Sequence, residues 1–212
     1  KELKYLVLDE ADEMISALKE DVDTIIKGIP KSRRTLLFTA TMHGAIKQLV
    51  QNYMSKHVLH IEADMSTLGH QGIDHQYVVV APIEKLEVLM HFLKSKEGER
   101  GIIFCKTKAA VNKLAKNLAI NKFPSGALHG SLAQPIRDRI MGQFRDGNID
   151  ILVATDLAAR GIDVQGITHV INYELPDDVE VYTHRSGRTG RAGLQGICIS
   201  IVHSKEMYKF KQ

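Results

Sequence analysis

Short apolar runs that do not alternate with polar residues recur along this chain, and they restrict its fold more than any other feature. They stand at residues 6–8, 36–38, 102–105, 151–154, 170–171 and 197–202, each bounded by polar residues or glycine. A strand with one wet face alternates apolar and polar side chains; a run that does not alternate needs cover on both faces, as strands of a parallel sheet have. Between the runs, Ile46, Leu49, Val50 and Tyr53 follow the i, i+3, i+4, i+7 spacing of one helix face, as do Leu86, Leu89, Met90 and Leu93, and Val111, Leu114, Ala115 and Leu118. Strands that alternate with helices of this length imply βαβ units and an α/β fold.

The pattern stops once. Residues 63–74 hold serine, threonine and two glycines with little apolar material, so a linker is expected over 63–75. After it a fresh strand begins near Gln76 and a complete alternating series fills 76–212. Before it, residues 1–62 offer two strand–helix units and the run 58–61, too few for a closed three-layer domain. The chain opens on Lys1, almost directly into an apolar strand, and a fragment is expected. Hydrophobic residues make up 44%, ample for a core. No run approaches the roughly eighteen apolar residues of a spanning helix and no leader precedes a cleavage site, so the expected setting is cytoplasmic or nuclear, without a membrane partner. Cys105 and Cys198 lie inside apolar runs, where a free thiol behaves as a small hydrophobe. The net charge of +3 permits an anionic partner without requiring one.

Four segments carry chemistry. In Leu6-Val7-Leu8-Asp9-Glu10-Ala11-Asp12, Asp9 follows a buried strand, where open α/β sheets place ligands, and it suits a Mg²⁺ held through water. Glu10 beside it suits a water that attacks a γ-phosphate, although an acidic helix start would look the same. Thr39-Ala40-Thr41 puts two hydroxyls at a strand end, where they can bond neighbouring carboxylates or the local backbone. In residues 153–163, Thr155 and the following backbone suit a phosphate oxygen and a carboxylate suits ribose hydroxyls; a β-to-α loop capped by Asp156 is an equally simple account. The fourth, His184-Arg185-Ser186-Gly187-Arg188-Thr189-Gly190-Arg191, spaces three arginines by three residues, able to line one face of a helical turn, with glycines that let backbone approach a ligand. Guanidinium groups stabilise developing phosphoryl charge, which makes this an arginine-finger candidate. Ser131 and Gln134 fit a capping box ahead of Ile136, Ile140 and Phe144, and His129-Gly130 ends a short run where a backbone amide can meet a phosphate.

In this order the segments resemble the motifs of the DEAD-box helicases, and the match covers essentially the whole chain. Asp9-Glu10-Ala11-Asp12 matches the namesake motif, Thr39-Ala40-Thr41 its Ser-Ala-Thr motif with a hydroxyl kept, residues 103–107 the strand that opens the second lobe, and residues 134–137 the Gln-x-x-Arg element with Pro135 inside it. The resemblance implies RecA-like parallel sheets flanked by helices: the end of a first lobe in 1–62 and a whole second lobe in 76–212. It further implies ATP and Mg²⁺ as cofactors, with Asp9 as metal residue and Asp9, Glu10, Arg188 and Arg191 as catalytic residues. Gly161 and Asp163 would join them at the nucleotide, Gly130, Arg137 and Thr155 would face RNA, and Asp12, Thr39, Thr41 and His184 would link the two sites. The implied partner is single-stranded RNA or a short duplex. The chain contains no G-x-x-x-x-G-K-[ST] phosphate loop, so residues 1–212 are expected not to hydrolyse ATP alone. By the same resemblance one strand edge in residues 1–62 is open, which implies either partial disorder there or self-association through that surface.

Overall fold

A computed structural model describes residues 3–55, 57–62, 72–160, 162, 164–191 and 193–207, with the side chains of Ser16 and Ala17 outside that description. The chain divides into two compact units, Lys1–Asp64 and Met65–Gln212. The expected linker at 63–75 lies mostly outside the described residues.

In the first unit, β1 (Tyr5–Leu8) and β2 (Arg34–Leu37) pair in parallel, with Leu8 beside Leu37. Helices α1 (Ala11–Lys27) and α2 (Gly44–Tyr53) cover one face, through a core of Leu8, Ala11, Ile15, Val22, Ile26, Ile46 and Leu49. Side chains alternate across a strand, and the opposite face shows Tyr5, Val7, Leu36 and Phe38 to solvent, with Tyr5 57% and Phe38 55% exposed. The run 58–61 forms no strand: Leu59 is 80% and Ile61 79% exposed. Apolar composition alone does not make a strand where no partner strand lies beside it.

The second unit is a six-stranded parallel sheet in the order β3-β8-β7-β4-β6-β5. Its strands are β3 (Ile73–Val80), β4 (Arg100–Phe104), β5 (Ser125–Leu128), β6 (Ile151–Ala154), β7 (Ile167–Asn172) and β8 (Gly196–His203). Between them run α3 (Lys85–Ser95), α4 (Lys108–Ile120), α5 (Gln134–Arg145), α6 (Asp156–Ala159) and α7 (Val179–Ser186). The central strands are apolar on both sides because each side feeds its own core. Ile102, Phe104, Leu152, Ala154 and Val170 pack with Phe144 of α5 and with Ala158 and Ala159 of α6. Ile103, Ile151, Val153 and Ile171 pack with Leu89 and Leu93 of α3 and Val111, Leu114 and Leu118 of α4. The expected α/β architecture, a parallel sheet flanked by helices, is what forms.

Two local expectations fail. The capping box from Ser131 is absent: α5 begins at Gln134 behind Ala133, with no side-chain cap, and Gln134 donates instead to Asp138 at 2.8 Å. Pro135 sits in that first turn, where its missing N–H costs nothing. Asp156 does not cap α6 either; Thr155 holds that position, and the Asp156 carboxylate turns toward α7. Both cysteines are free and buried, and burial pushes their thiols up, to about 12 at Cys105 and about 11 at Cys198. Among the described residues no helix is long and apolar enough to cross a membrane.

Candidate functional site

Each unit holds its own group of the residues singled out above. In the first, β1 delivers Asp9 to the carboxyl end of the sheet, exposed, with one carboxylate oxygen accepting the Glu10 amide at 3.0 Å. Glu10 precedes α1 in a left-handed conformation, φ 49° and ψ 48°. For a residue with a Cβ this costs about 1–2 kcal/mol, and such strain persists where the surroundings impose it. Here they do: the next amide, of Ala11, donates to the Phe38 carbonyl at 3.0 Å, and the Met14 amide returns to the Glu10 carbonyl at 3.0 Å.

Asp12, 3% exposed, accepts both the amide and the hydroxyl of Thr41 at 2.9 Å, and the Glu13 amide at 3.1 Å. Burial pushes this carboxyl up, but the hydrogen bonds from Thr41 and Glu13 outweigh it and hold the acid below its ordinary range. The Thr39 hydroxyl donates to the Thr41 carbonyl at 2.8 Å, and Thr39 also helps to lower the Asp12 carboxyl. The Ser-Ala-Thr-like turn is thus tied to α1 through Asp12.

Magnesium usually keeps several waters and takes one or two carboxylates along with substrate phosphates. The exposed Asp9 carboxylate at a strand end fits that mode. Among the described residues no three His, Cys, Asp or Glu side chains gather into a cage of their own.

In the second unit, Gly130 and Thr155 follow β5 and β6 at the same end of the sheet, joined by a bond from the Thr155 amide to the Leu128 carbonyl at 3.2 Å. A Cβ at Gly130 would meet only Leu157, at 4.0 Å, so the fold itself does not demand glycine there. Arg137 reaches from α5 to the Ala158 carbonyl at 2.7 Å and pins the far end of α6.

The arginines do not share one helical face. Helix α7 stops at Ser186 with Gly187 as its cap, and Gly190, at φ 67°, turns the chain away. Arg188 and Arg191 therefore stand on the turn after the helix, held by bonds from Arg188 Nε to the His184 carbonyl at 3.2 Å and from Arg191 Nε to the Gly187 carbonyl at 2.9 Å. Arg185 behaves otherwise. It is 2% exposed and its guanidinium grips both oxygens of Asp156, at 2.5 and 2.8 Å. Arg185 and Asp156 lie 29 residues apart, so no local pattern announces the pair. Gly161 and Asp163 lie outside the described residues.

Comparison with known proteins shows what shares these features. The pattern of the helicase conserved C-terminal domain matches residues 84–193 and that of the DEAD/DEAH box helicases matches residues 1–49. The ATP-dependent RNA helicase CshA of Listeria monocytogenes is 43% identical over 97% of this chain and 39% of its own length. The DEAD-box ATP-dependent RNA helicase CshA of Geobacillus kaustophilus is 39% identical over 95% of this chain and 43% of its own. The chain thus spans about two fifths of the length of such relatives. Among solved structures, S. cerevisiae Dbp5 bound to RNA and ADP BeF3 aligns over 100% of this chain and 56% of its own, at TM-score 0.85 and 31% identity. A DEAD box protein from Methanococcus jannaschii aligns over 98% of this chain and 56% of its own, at TM-score 0.64 and 43% identity.

Proposed function

This chain belongs to the DEAD-box helicases, and on that premise we propose that it serves within an ATP-dependent RNA helicase that opens short RNA duplexes or remodels RNA–protein complexes as ATP is hydrolysed. The observation that carries the reading is Glu10, a carboxylate held in a strained left-handed backbone at the end of a parallel strand, directly after Asp9. A general base needs a fixed position, and the bonds of Ala11 to Phe38 and of Met14 to Glu10 fix the backbone that carries this one.

The division of labour follows from chemistry. Glu10 orients the attacking water and takes its proton, and Asp9 would hold Mg²⁺ through water, an ion that would supply positive charge against the phosphates. Asp12 and the Thr39–Thr41 turn keep the start of α1 in place. In the second unit, Arg188 and Arg191 stabilise charge that grows on the γ-phosphoryl group, and Asp163 with Gly161 meets the ribose. Gly130, Arg137 and Thr155 face the RNA backbone, and His184 joins the two tasks. Phosphate contacts of this kind are indifferent to sequence and fade as salt rises. A cytoplasmic setting belongs to the same proposal.

A phosphate loop must come from residues outside this chain, so residues 1–212 alone are proposed to be inactive. The uncovered face of β1 and β2 is proposed to seat a second copy of the chain when nothing else covers it.

The test is Glu10→Gln in a complete protein that joins this chain to a phosphate-loop segment. ATP and RNA binding should persist while hydrolysis slows by orders of magnitude; wild-type turnover would remove Glu10 from the chemistry. Arg188→Ala or Arg191→Ala should lower turnover by roughly a thousandfold, more than it weakens ATP binding.

A further inference from the structure

Helix α6 has four residues, too few to fix its own orientation. Two arginines fix it. Arg137 holds its carboxyl end at the Ala158 carbonyl, and Arg185 holds its first residue, Asp156, by a two-pronged ion pair. The Arg185 guanidinium also donates to Asn172 Oδ1 at 3.0 Å and to the Glu174 carbonyl at 2.7 Å, and lies 5.0 Å above the Phe104 ring. Asn172 in turn donates to the Ser200 hydroxyl at 3.2 Å. A buried guanidinium is tolerable only when its N–H groups are met and its charge is balanced, and Asp156 supplies the balancing charge.

The same residue supports the arginine turn. The Arg188 amide donates to the Arg185 carbonyl at 3.1 Å and the Thr189 amide to the Ser186 carbonyl at 3.1 Å. The Thr189 hydroxyl is anchored to the Ile167 carbonyl at 2.6 Å. Arg188 Nη1 then reaches the Ile162 carbonyl at 3.4 Å, and the Ile162 amide returns to Ala159, the last residue of α6, at 3.3 Å. The bonds close a ring from Asp156 through Arg185, Arg188, Ile162 and Ala159 back to α6.

We infer that Asp156 and Arg185 are a positioning pair, which ties Thr155 at the head of α6 to the Arg188–Arg191 turn so that RNA on one is felt at the other. The inference rests on the RNA- and ATP-handling reading above. A rigid bidentate fork transmits orientation, whereas a single point charge does not.

Asp156→Asn gives a test in which two accounts predict opposite signs. Removing a carboxylate from a surface that meets an anion should tighten RNA binding if only charge matters. If the pair positions Thr155, binding should weaken by about three- to tenfold. The full chain is titrated with a fluorescein-labelled oligouridylate at low salt, and amide hydrogen exchange is followed with and without the RNA. For the wild type, RNA should slow exchange over 128–137 and also over 183–193. In Asp156→Asn the slowing over 183–193 should be lost while that over 128–137 remains, with exchange in β4 and β6 as the check that the sheet is intact. Arg185→Lys keeps charge and bulk but loses the fork, and should behave the same way; it decides the matter if Asp156→Asn does not fold. Wild-type affinity with retained slowing over 183–193 in Arg185→Lys, or unchanged or tighter binding by a folded Asp156→Asn, would overturn the pair and leave the RNA reading standing. No RNA binding by the wild-type chain would overturn both.

Discussion

His169 on β7 is fully buried, its Nδ1 beside the Thr168 hydroxyl at 2.9 Å and its Nε2 without a hydrogen-bond partner. Its ring lies against Gly101 of the paired strand, where any Cβ would collide with the imidazole, and meets the Phe92 ring edge-on at 5.6 Å. Burial lowers its pKa from 6.5 to about 4. The unfolded chain therefore binds a proton near pH 6.5 that the folded one refuses until about pH 4, so stability falls as pH drops through that window, by about 3 kcal/mol in all. Denaturant unfolding at pH 7 and pH 4 should show that loss in the wild type and a clearly smaller one in His169→Leu; equal losses would place the proton elsewhere. Sequence reading named Asp9 and Glu10 because carboxylates at a strand end have recognisable chemistry, and Asp12 through the resemblance to the DEAD-box motif. It missed what Arg185 does, because a buried ion pair between residues 29 apart leaves no local pattern. Nor did it show the left-handed backbone of Glu10, which the Ala11–Phe38 bond imposes from a neighbouring strand.

Among elements, apolar runs located β1, β2, β4, β6, β7 and β8, and helix periods located α2, α3 and α4, since those patterns report two-sided and one-sided burial directly; α6 and α7, of four and eight residues, are too short to announce themselves by a period. Ends were less legible. The strand at Ile73–Val80 begins before Gln76 because Ile73 pairs with Gly196, a long-range contact. The 58–61 run failed as a strand because hydrophobicity supplies no partner. The end of α4 offers a prediction of its own. After the cap at Asn121, Lys122 adopts φ 63°, its amide donating to Ala119 at 3.1 Å and that of Phe123 to Leu118 at 3.0 Å. This two-bond helix stop favours glycine at its left-handed position. Lys122→Gly should stabilise the second unit by about 0.5–1 kcal/mol, raising its thermal midpoint by about 1–4 °C. A lower midpoint would show that the lysine side chain contributes more than the strain costs.

On the scale of the whole molecule the two units differ in completeness. The second has both faces of its sheet covered, whereas the first leaves Tyr5, Val7, Leu36 and Phe38 open, beside an edge that no strand among the described residues pairs. Apolar strands in that state invite another chain. Light scattering across size-exclusion peaks should find residues 1–212 associating as concentration rises and residues 76–212 remaining monomeric. A compact monomer of the full chain at high concentration, or equal association by residues 76–212, would contradict this. These units are proposed to serve RNA-driven ATP hydrolysis, and comparing RNA with DNA of the same sequence as stimulators tests that most directly. In a complete protein containing this chain, single-stranded RNA should raise ATP turnover and the matching DNA should not; equal stimulation by DNA, or turnover indifferent to RNA, would contradict the account.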